Sequence, residues 1–96
     1  MNNRVERITD TLTAAYNPIS LEVIDDSHQH AGHASAGGKG HFTVKIIADA
    51  FREKSLIQRH RMIHATLAEL IESDIHALSI NARAPQINYP AASYLA

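Results

Sequence analysis

Histidine is the residue type with the greatest chemical capacity in this sequence, and it is concentrated in one segment. Four of the seven histidines and all four glycines lie in SHQHAGHASAGGKGHF, residues 27–42. A neutral imidazole is the commonest metal ligand among side chains, and glycine lets the backbone bring several of them together. The segment therefore indicates either a metal site using His30, His33 or His41, or the fortuitous metal binding of flexible His-rich loops. Composition alone favours fortuitous binding, and His41, next to the strand residue Phe42, is interpreted as structural.

The other three histidines, His60, His64 and His76, lie in predicted regular elements. His60 falls on the apolar stripe of a predicted helix, together with Leu56 and Ile63, which is typical of a core histidine with a hydrogen-bond partner. His76 stands at the start of the last predicted strand, just after an expected helix end, where the helix dipole favours a cation or a metal. The carboxylate of Asp74 is a candidate acceptor for orienting the His76 ring. By itself, a single histidine in this position is more often only a polar strand end.

The composition excludes several kinds of site. The 96 residues contain no cysteine, so this chain cannot supply disulfides, a catalytic thiol or thiolate metal ligands. No Ser/His/Asp or paired-carboxylate arrangement follows from the spacing, and a chain of this size has little room for a deep catalytic cleft. We therefore expect no enzyme and no small-molecule substrate. The apolar runs are too short to span a membrane and MNNRVERITD lacks a signal-peptide core, which predicts a cytoplasmic protein.

The net charge argues against strong nucleic-acid binding, whereas a few local cations are candidate phosphate contacts. Nine Lys+Arg against ten Asp+Glu give a net charge of −1, which does not favour strong non-specific binding. Arg59 and Arg61 of the helical RHR segment, with Lys54, are the candidate phosphate contacts, although Arg59 and Arg61 are splayed around the helix. GGKG, residues 37–40, has the spacing of the nucleotide-clamping GXXG loop of KH domains. It joins strands here rather than helices, so linker flexibility explains it better.

Hydrophobic periodicity predicts the order of the secondary-structure elements. Apolar residues at helical spacing predict helices within residues 3–17 and 55–74, the second with a break, and alternation predicts strands within residues 19–24, 42–48 and 75–84. Each helix opens with Asn or Ser followed three residues later by Glu or Gln, which is the pattern of a capping box. Asn17-Pro18 ends the first helix, because the residue before proline is pushed out of the α region.

These elements predict an α+β two-layer sandwich with the order α-β-β-α(α)-β. The first two strands form a hairpin with a long loop. The helical crossover between the second and third strands is expected to be right-handed and to make that pairing parallel. A three-stranded mixed sheet covered by helices on one face results. We expect one domain over residues 1–85 and a tail over residues 86–96.

Four segments, in this order and at this spacing, resemble the BolA family: DDSHQHAGH, HFTVKI, RHRMIHATLAELI and IHALSINARAP. The resemblance covers nearly the whole chain up to about Pro85. It implies a class II KH-like topology and a heterocomplex with a monothiol glutaredoxin, bridged by a [2Fe–2S] cluster with glutathione on the partner side. The family's ligands are the histidine of the HAL motif, which is His76 here, and a His or Cys of the loop between the first two strands. His30 and His33 compete for that second position.

Three departures from the family pattern accompany the resemblance. Glu53 stands where the family commonly has glycine, in the turn before the long helix. The Glu-Trp usual near the end is replaced within APQINYP, so any contact of that tryptophan is absent. The loop also holds more histidines than the pattern requires, which leaves the choice between His30 and His33 open.

The sequence supports a leading hypothesis and two rivals. The leading hypothesis is a non-enzymatic adaptor in iron–sulfur cluster assembly, trafficking or iron-responsive regulation, in which this chain supplies imidazoles and the glutaredoxin supplies thiolates. Two imidazoles replace two thiolates on one iron in Rieske centres. The first rival is a DNA-binding transcriptional regulator that uses Arg59, Arg61 and Lys54. The second is a mononuclear zinc or copper site in the histidine-rich loop.

Overall fold

Three strands and three α-helices follow one another in the computed structural model, which describes residues 4–27 and 39–86. The elements are α1 (Arg4–Tyr16), β1 (Ser20–Asp25), β2 (Gly40–Ile47), a 3-10 turn (Asp49–Phe51), α2 (Leu56–Thr66), α3 (Ala68–Ser73) and β3 (Ile75–Arg83). The predicted order α-β-β-α(α)-β is confirmed, including the break in the long helix. None of the helices in these two ranges combines the length and the apolar character that crossing a membrane requires.

The sheet is mixed, as predicted. Its strand order is β1-β2-β3, with β1 antiparallel to β2 and β2 parallel to β3. The antiparallel pair is the predicted hairpin, and α2 and α3 make the crossover that a parallel connection requires. Consequently the end of β1, the beginning of β2 and the beginning of β3 all lie at the same edge of the sheet.

One face of the sheet carries the core. Phe42, Val44 and Ile46 alternate along β2 and are fully buried. Of the alternate residues, Thr43 and Ile47 are partly buried and Lys45 is exposed. Helices α1 and α2 and the short link after α2 cover the buried face with four side chains: Ile8, Leu12, Ile63 and Leu67. Because the helices cover one face of the sheet, the fold is the predicted two-layer sandwich.

Helix α2 begins where the sequence predicts, and Ile63 of the predicted apolar stripe is buried, but the stripe does not include the first turn or His60. The hydroxyl of Ser55 accepts a hydrogen bond from the Gln58 amide, and the Gln58 side chain accepts one from the Ser55 amide, so the capping box is confirmed. His60 is exposed and Leu56 is 69% exposed, so the prediction of a core histidine is wrong. The buried stripe instead passes through the partly buried Arg59, whose long apolar stem can cover core residues while its charged end reaches a polar partner.

The turn before α2 retains the backbone shape that the family's glycine would favour. Glu53 has φ +63°, in the left-handed region where a Cβ atom crowds the following carbonyl. The Lys54 amide donates to the Phe51 carbonyl across this turn at 3.2 Å. The departure at Glu53 therefore leaves the turn in place, at a cost in backbone energy.

Candidate metal centre

His76 occupies a bulge at the beginning of β3. Gly40 pairs with Ile75 and His41 pairs with Ala77, so β3 has one residue more than β2 at this point. A bulge re-aims the side chains around it and is uncommon in a parallel pair. Ile75 is buried in the core and His76 is exposed, and the extra residue shifts the alternation of the strand between Ile75 and Leu78.

The sequence carries a signal for this bulge. Leu78, Ile80 and Ala82 alternate on the core side of β3, whereas the buried Ile75 is out of phase with them by one position. A regular strand puts every second side chain on one face, so such a change of phase within an otherwise alternating strand predicts an inserted residue. The break falls between Ile75 and Leu78, where His76 stands.

The bulge brings His76 beside His41. The two ring centroids lie 5.2 Å apart, with 57° between the ring planes. A metal-bound imidazole nitrogen lies about 2.1 Å from the metal, which puts the ring centroid about 3.2 Å away, so two rings at a tetrahedral angle have centroids about 5 Å apart. The separation of the two ring centroids therefore matches that of two imidazoles on one metal ion. The sequence interpretation of His41 as structural stays a prediction, and the position of its ring beside His76 makes it a candidate ligand as well.

The backbone of His41 is held by Asp26 and Ser27, the two residues that directly follow β1. The Asp26 amide donates to the His41 carbonyl at 2.8 Å, and the His41 amide donates to the Ser27 hydroxyl at 3.1 Å. Ser27 is itself positioned by Asp25, whose carboxylate accepts the Ser27 amide at 2.8 Å. These bonds fix the backbone at the first residues of β2, and with it the position from which the His41 side chain leaves the sheet.

The close packing around position 40 explains why a glycine stands there. A Cβ atom at this position would lie 2.5 Å from the Ser27 hydroxyl oxygen and 2.8 Å from a ring carbon of Phe42. Only glycine allows such a close approach of backbone to side chain. The prediction that the glycines of GGKG serve linker flexibility is therefore wrong for Gly40, which is a buried strand residue.

Asp74 supports the site from the other side. Its carbonyl accepts the Gly40 amide at 2.9 Å, and its carboxylate contacts Arg4 at 3.3 Å and Arg7 at 2.8 Å. The hydrogen bond from Ser73, with those from the two arginines, holds the pKa of Asp74 below its ordinary value, although partial burial opposes the shift. No hydrogen bond joins this carboxylate to His76, so the prediction that Asp74 orients that ring is wrong. It joins α1 to the end of α3 instead.

The two predicted loop ligands, His30 and His33, lie outside the residues that the structure describes. Within 4–27 and 39–86, no three His, Cys, Asp or Glu side chains form a group that could hold a metal ion. The described part of the site thus offers two nitrogen donors. Further ligands would have to come from the loop, from solvent or from another molecule.

Arg59 and Arg61, two of the predicted nucleic-acid contacts, lie on different sides of α2, as expected. Arg61 and Lys54 are exposed, whereas Arg59 is half-buried. The Arg59 guanidinium donates to the Ala82 carbonyl at 2.9 Å, which ties α2 to the end of β3. Its Nε is buried, with no hydrogen-bond partner among the described residues. Arg59 therefore has a structural role that the sequence did not indicate, and Arg61 and Lys54 are the accessible cations.

Comparison with known proteins gives the family. Residues 12–86 match the family described as BolA-like protein. SufE-like protein 1, chloroplastic/mitochondrial, of Arabidopsis thaliana is 46% identical over 91 residues, covering 88% of this chain but only 24% of that protein. The DNA-binding transcriptional regulator BolA of Escherichia coli (strain K12) is 42% identical over 76 residues, covering 79% of this chain and 70% of the regulator.

A solved structure supports the same assignment. The BolA domain of SufE1 from Arabidopsis thaliana matches with a TM-score of 0.78 and 44% identity, over 88% of this chain and 95% of that one. The chain belongs to the BolA family.

Proposed function

We propose that this BolA-family protein is a non-enzymatic adaptor that binds a monothiol glutaredoxin and caps a shared [2Fe–2S] cluster. His76 is one ligand and a second histidine is the other. The observation that carries the proposal is the pairing of His76 and His41 at 5.2 Å between ring centroids, in a chain without cysteine. Such a site can supply the neutral half of the ligand set, and the thiolates, with glutathione, come from the partner.

The second histidine comes from one of two places. His41 is supported by its proximity to His76. His30 and His33 are supported by connectivity, because Ser27, bonded to the His41 backbone, leads directly into their loop. An extended chain spans at most about 3.6 Å per residue, so His30, three residues beyond Ser27, is within reach of the site. In either case His76 is the ligand common to both arrangements.

The chemistry of the donors determines what the adaptor would do. When bound, the cluster supplies a one-electron redox centre, and replacing thiolates by imidazoles raises its reduction potential in Rieske centres. The residues of this chain position two rings and leave them accessible to a second protein. A protonated imidazole cannot ligate, so we expect loading of the complex to fall as the solution is made acidic.

The test is anaerobic cluster reconstitution of this protein mixed with a monothiol glutaredoxin. We expect a visible absorption and circular dichroism spectrum unlike that of the glutaredoxin alone. His76→Ala should abolish the difference, and comparison of His41→Ala with the pair His30→Ala and His33→Ala identifies the second ligand. A mixed spectrum that matches glutaredoxin alone, or that survives His76→Ala, contradicts the proposal. Lys45→Ala, on the open face of the sheet, is a matched surface control.

A second candidate function is DNA binding by the exposed side of α2. It is favoured by the 42% identity to a protein named a DNA-binding transcriptional regulator and by the exposure of Arg61 and Lys54. The net charge of −1 implies modest affinity that depends on local cations. Removing one phosphate contact lowers the slope of log affinity against log salt by about 1.

The DNA-binding test must separate contact from folding. Arg61→Ala and Lys54→Ala should each weaken binding and reduce the salt slope, whereas Lys45→Ala should not. Arg59→Ala is unsuitable as a first test, because it also removes the hydrogen bond to Ala82. DNA binding that survives the double variant Arg61→Ala/Lys54→Ala rules out this face.

The location of the protein in the cell is part of the same proposal. We expect the cytoplasm from the sequence, but one relative carries the description chloroplastic/mitochondrial and another the description chloroplastic. Monothiol glutaredoxins would have to share the compartment for the complex to form. Fractionation of cells producing a tagged full chain, probed together with the glutaredoxin, tests this point.

A further inference from the structure

A second pair of histidines lies on the exposed side of α2 and is used by neither candidate function. His60 and His64 are both exposed and stand four residues apart within Leu56–Thr66. Neither ring takes part in a hydrogen bond or an ion pair with another described residue. Both nitrogens of each ring are therefore available to a ligand from solution.

The helix places the two rings side by side. Residues four apart on an α-helix lie on one face, with Cβ atoms about 5–6 Å apart. Helical side chains lean toward the N-terminus, so the ring of His64 points back over the turn that carries His60. This is the spacing with which two helical histidines bind zinc in HExxH motifs. The capping box at Ser55 holds the preceding turn, so the helix need not form anew when a metal binds.

We propose that His60 and His64 form a separate binding site for a borderline divalent cation. Neutral imidazoles suit copper, nickel and zinc, and the general order of affinity puts Cu²⁺ above Ni²⁺ and Zn²⁺. The residue one turn before His60 is the uncharged Leu56, whereas the exposed Arg61 stands three residues before His64, where solvent screens its charge. No third protein ligand joins the pair among the described residues, so water completes the coordination.

Binding of one ion by both rings predicts a large loss of affinity when either ring is removed. Binding through the first imidazole makes the second contact intramolecular, and linking two contacts in this way raises affinity by about 10²-fold or more. Loss of either ring should therefore remove most of the affinity rather than half of it. Because metal binding to the folded helix also stabilises it, the melting temperature should rise with Cu²⁺ concentration.

The experiment uses the full chain with its other histidine clusters removed. In a background carrying His28→Asn, His30→Asn, His33→Asn and His76→Gln, we titrate Cu²⁺ by calorimetry and record its electron paramagnetic resonance spectrum. We expect one ion per chain with two nitrogen donors. Adding His64→Ala or His60→Ala should weaken binding by about 10²-fold and abolish the thermal shift.

Two matched variants separate chelation from mere histidine content. His64→Ala/Ala65→His keeps the number of histidines but moves one off the shared face, and it should bind as weakly as His64→Ala. His64→Ala/Leu56→His restores the four-residue spacing on the other side of His60, and it should recover tight binding. Ala65 is exposed and Leu56 is 69% exposed, so both sites accept the change. Tight binding by the first variant, or none by the second, overturns the proposal.

Discussion

Glu53 shows at the scale of one residue how this chain departs from its family. Its φ of +63° is a conformation that glycine adopts without steric cost and that other L-residues adopt at about 1–2 kcal/mol. The sequence resemblance identified the position but not the outcome, since a turn can change its shape or keep it under strain. In this chain the shape is kept, and the strain remains in one backbone unit.

Replacing Glu53 by glycine should therefore stabilise the protein. We expect Glu53→Gly to raise the free energy of unfolding by about 0.5–1 kcal/mol, because the relieved strain exceeds the extra entropy of glycine in the unfolded chain. Urea denaturation at neutral pH measures the change. Glu53→Ala removes the same charge but keeps the Cβ atom, so it should give no such gain. Equal stabilisation by both variants would attribute the effect to charge instead.

The strand ends show at the scale of elements how the candidate site is assembled. The end of β1 holds the His41 backbone through Ser27, and the bulge at the beginning of β3 turns His76 toward it. The residues after β1, the beginning of β2 and the beginning of β3 thus meet at one place. No single one of these segments carries both candidate ligands, His41 and His76. The glycine at the beginning of β2 is what allows this close packing.

Adding a methyl group at Gly40 should disturb this junction. The new Cβ would lie 2.5 Å from the Ser27 hydroxyl oxygen and 2.8 Å from the buried Phe42 ring. We expect Gly40→Ala to lower the free energy of unfolding by about 1–3 kcal/mol, the usual cost of overpacking. Adding Ser27→Gly removes one of the two obstacles and should recover only part of the loss. An unchanged denaturation midpoint in Gly40→Ala would contradict the packing described here.

The contacts of Asp74 connect the layers at the scale of the whole molecule. Its carboxylate pairs with Arg4 and Arg7 of α1, while its carbonyl holds the beginning of β2. The carboxylate is only 14% exposed, so solvent screens these pairs less than it screens a fully exposed pair. The helical layer and the end of the sheet that carries His41 and His76 are therefore joined through one residue.

Removing this charge should loosen the connection. We expect Asp74→Asn to lower the free energy of unfolding by about 1 kcal/mol at neutral pH, because two arginine contacts lose their ionic partner. A double-mutant cycle with Arg7→Gln isolates the pairwise energy, which should be about 0.5 kcal/mol. Asp10→Asn removes the same charge from an exposed position of α1 and should have little effect. Equal losses from the two aspartate variants would mean that overall charge, not the pairing, is responsible.

The sequence by itself determined the elements, because the capping box at Ser55, the alternation in the strands and the break before proline act over a few neighbouring residues; the predicted capping box at Asn3 lies outside the described residues. It also determined the family, and with it His76 as a candidate ligand. Only the tertiary structure decided that His41 is the neighbour of His76, since that contact depends on the register of two strands distant in sequence and on a bulge between them. It likewise decided which side of α2 is buried. The hydrophobicity pattern predicts that His60 faces the core and Arg59 faces solvent. In the structure Arg59 is partly buried and packs toward β3, whereas His60 is exposed.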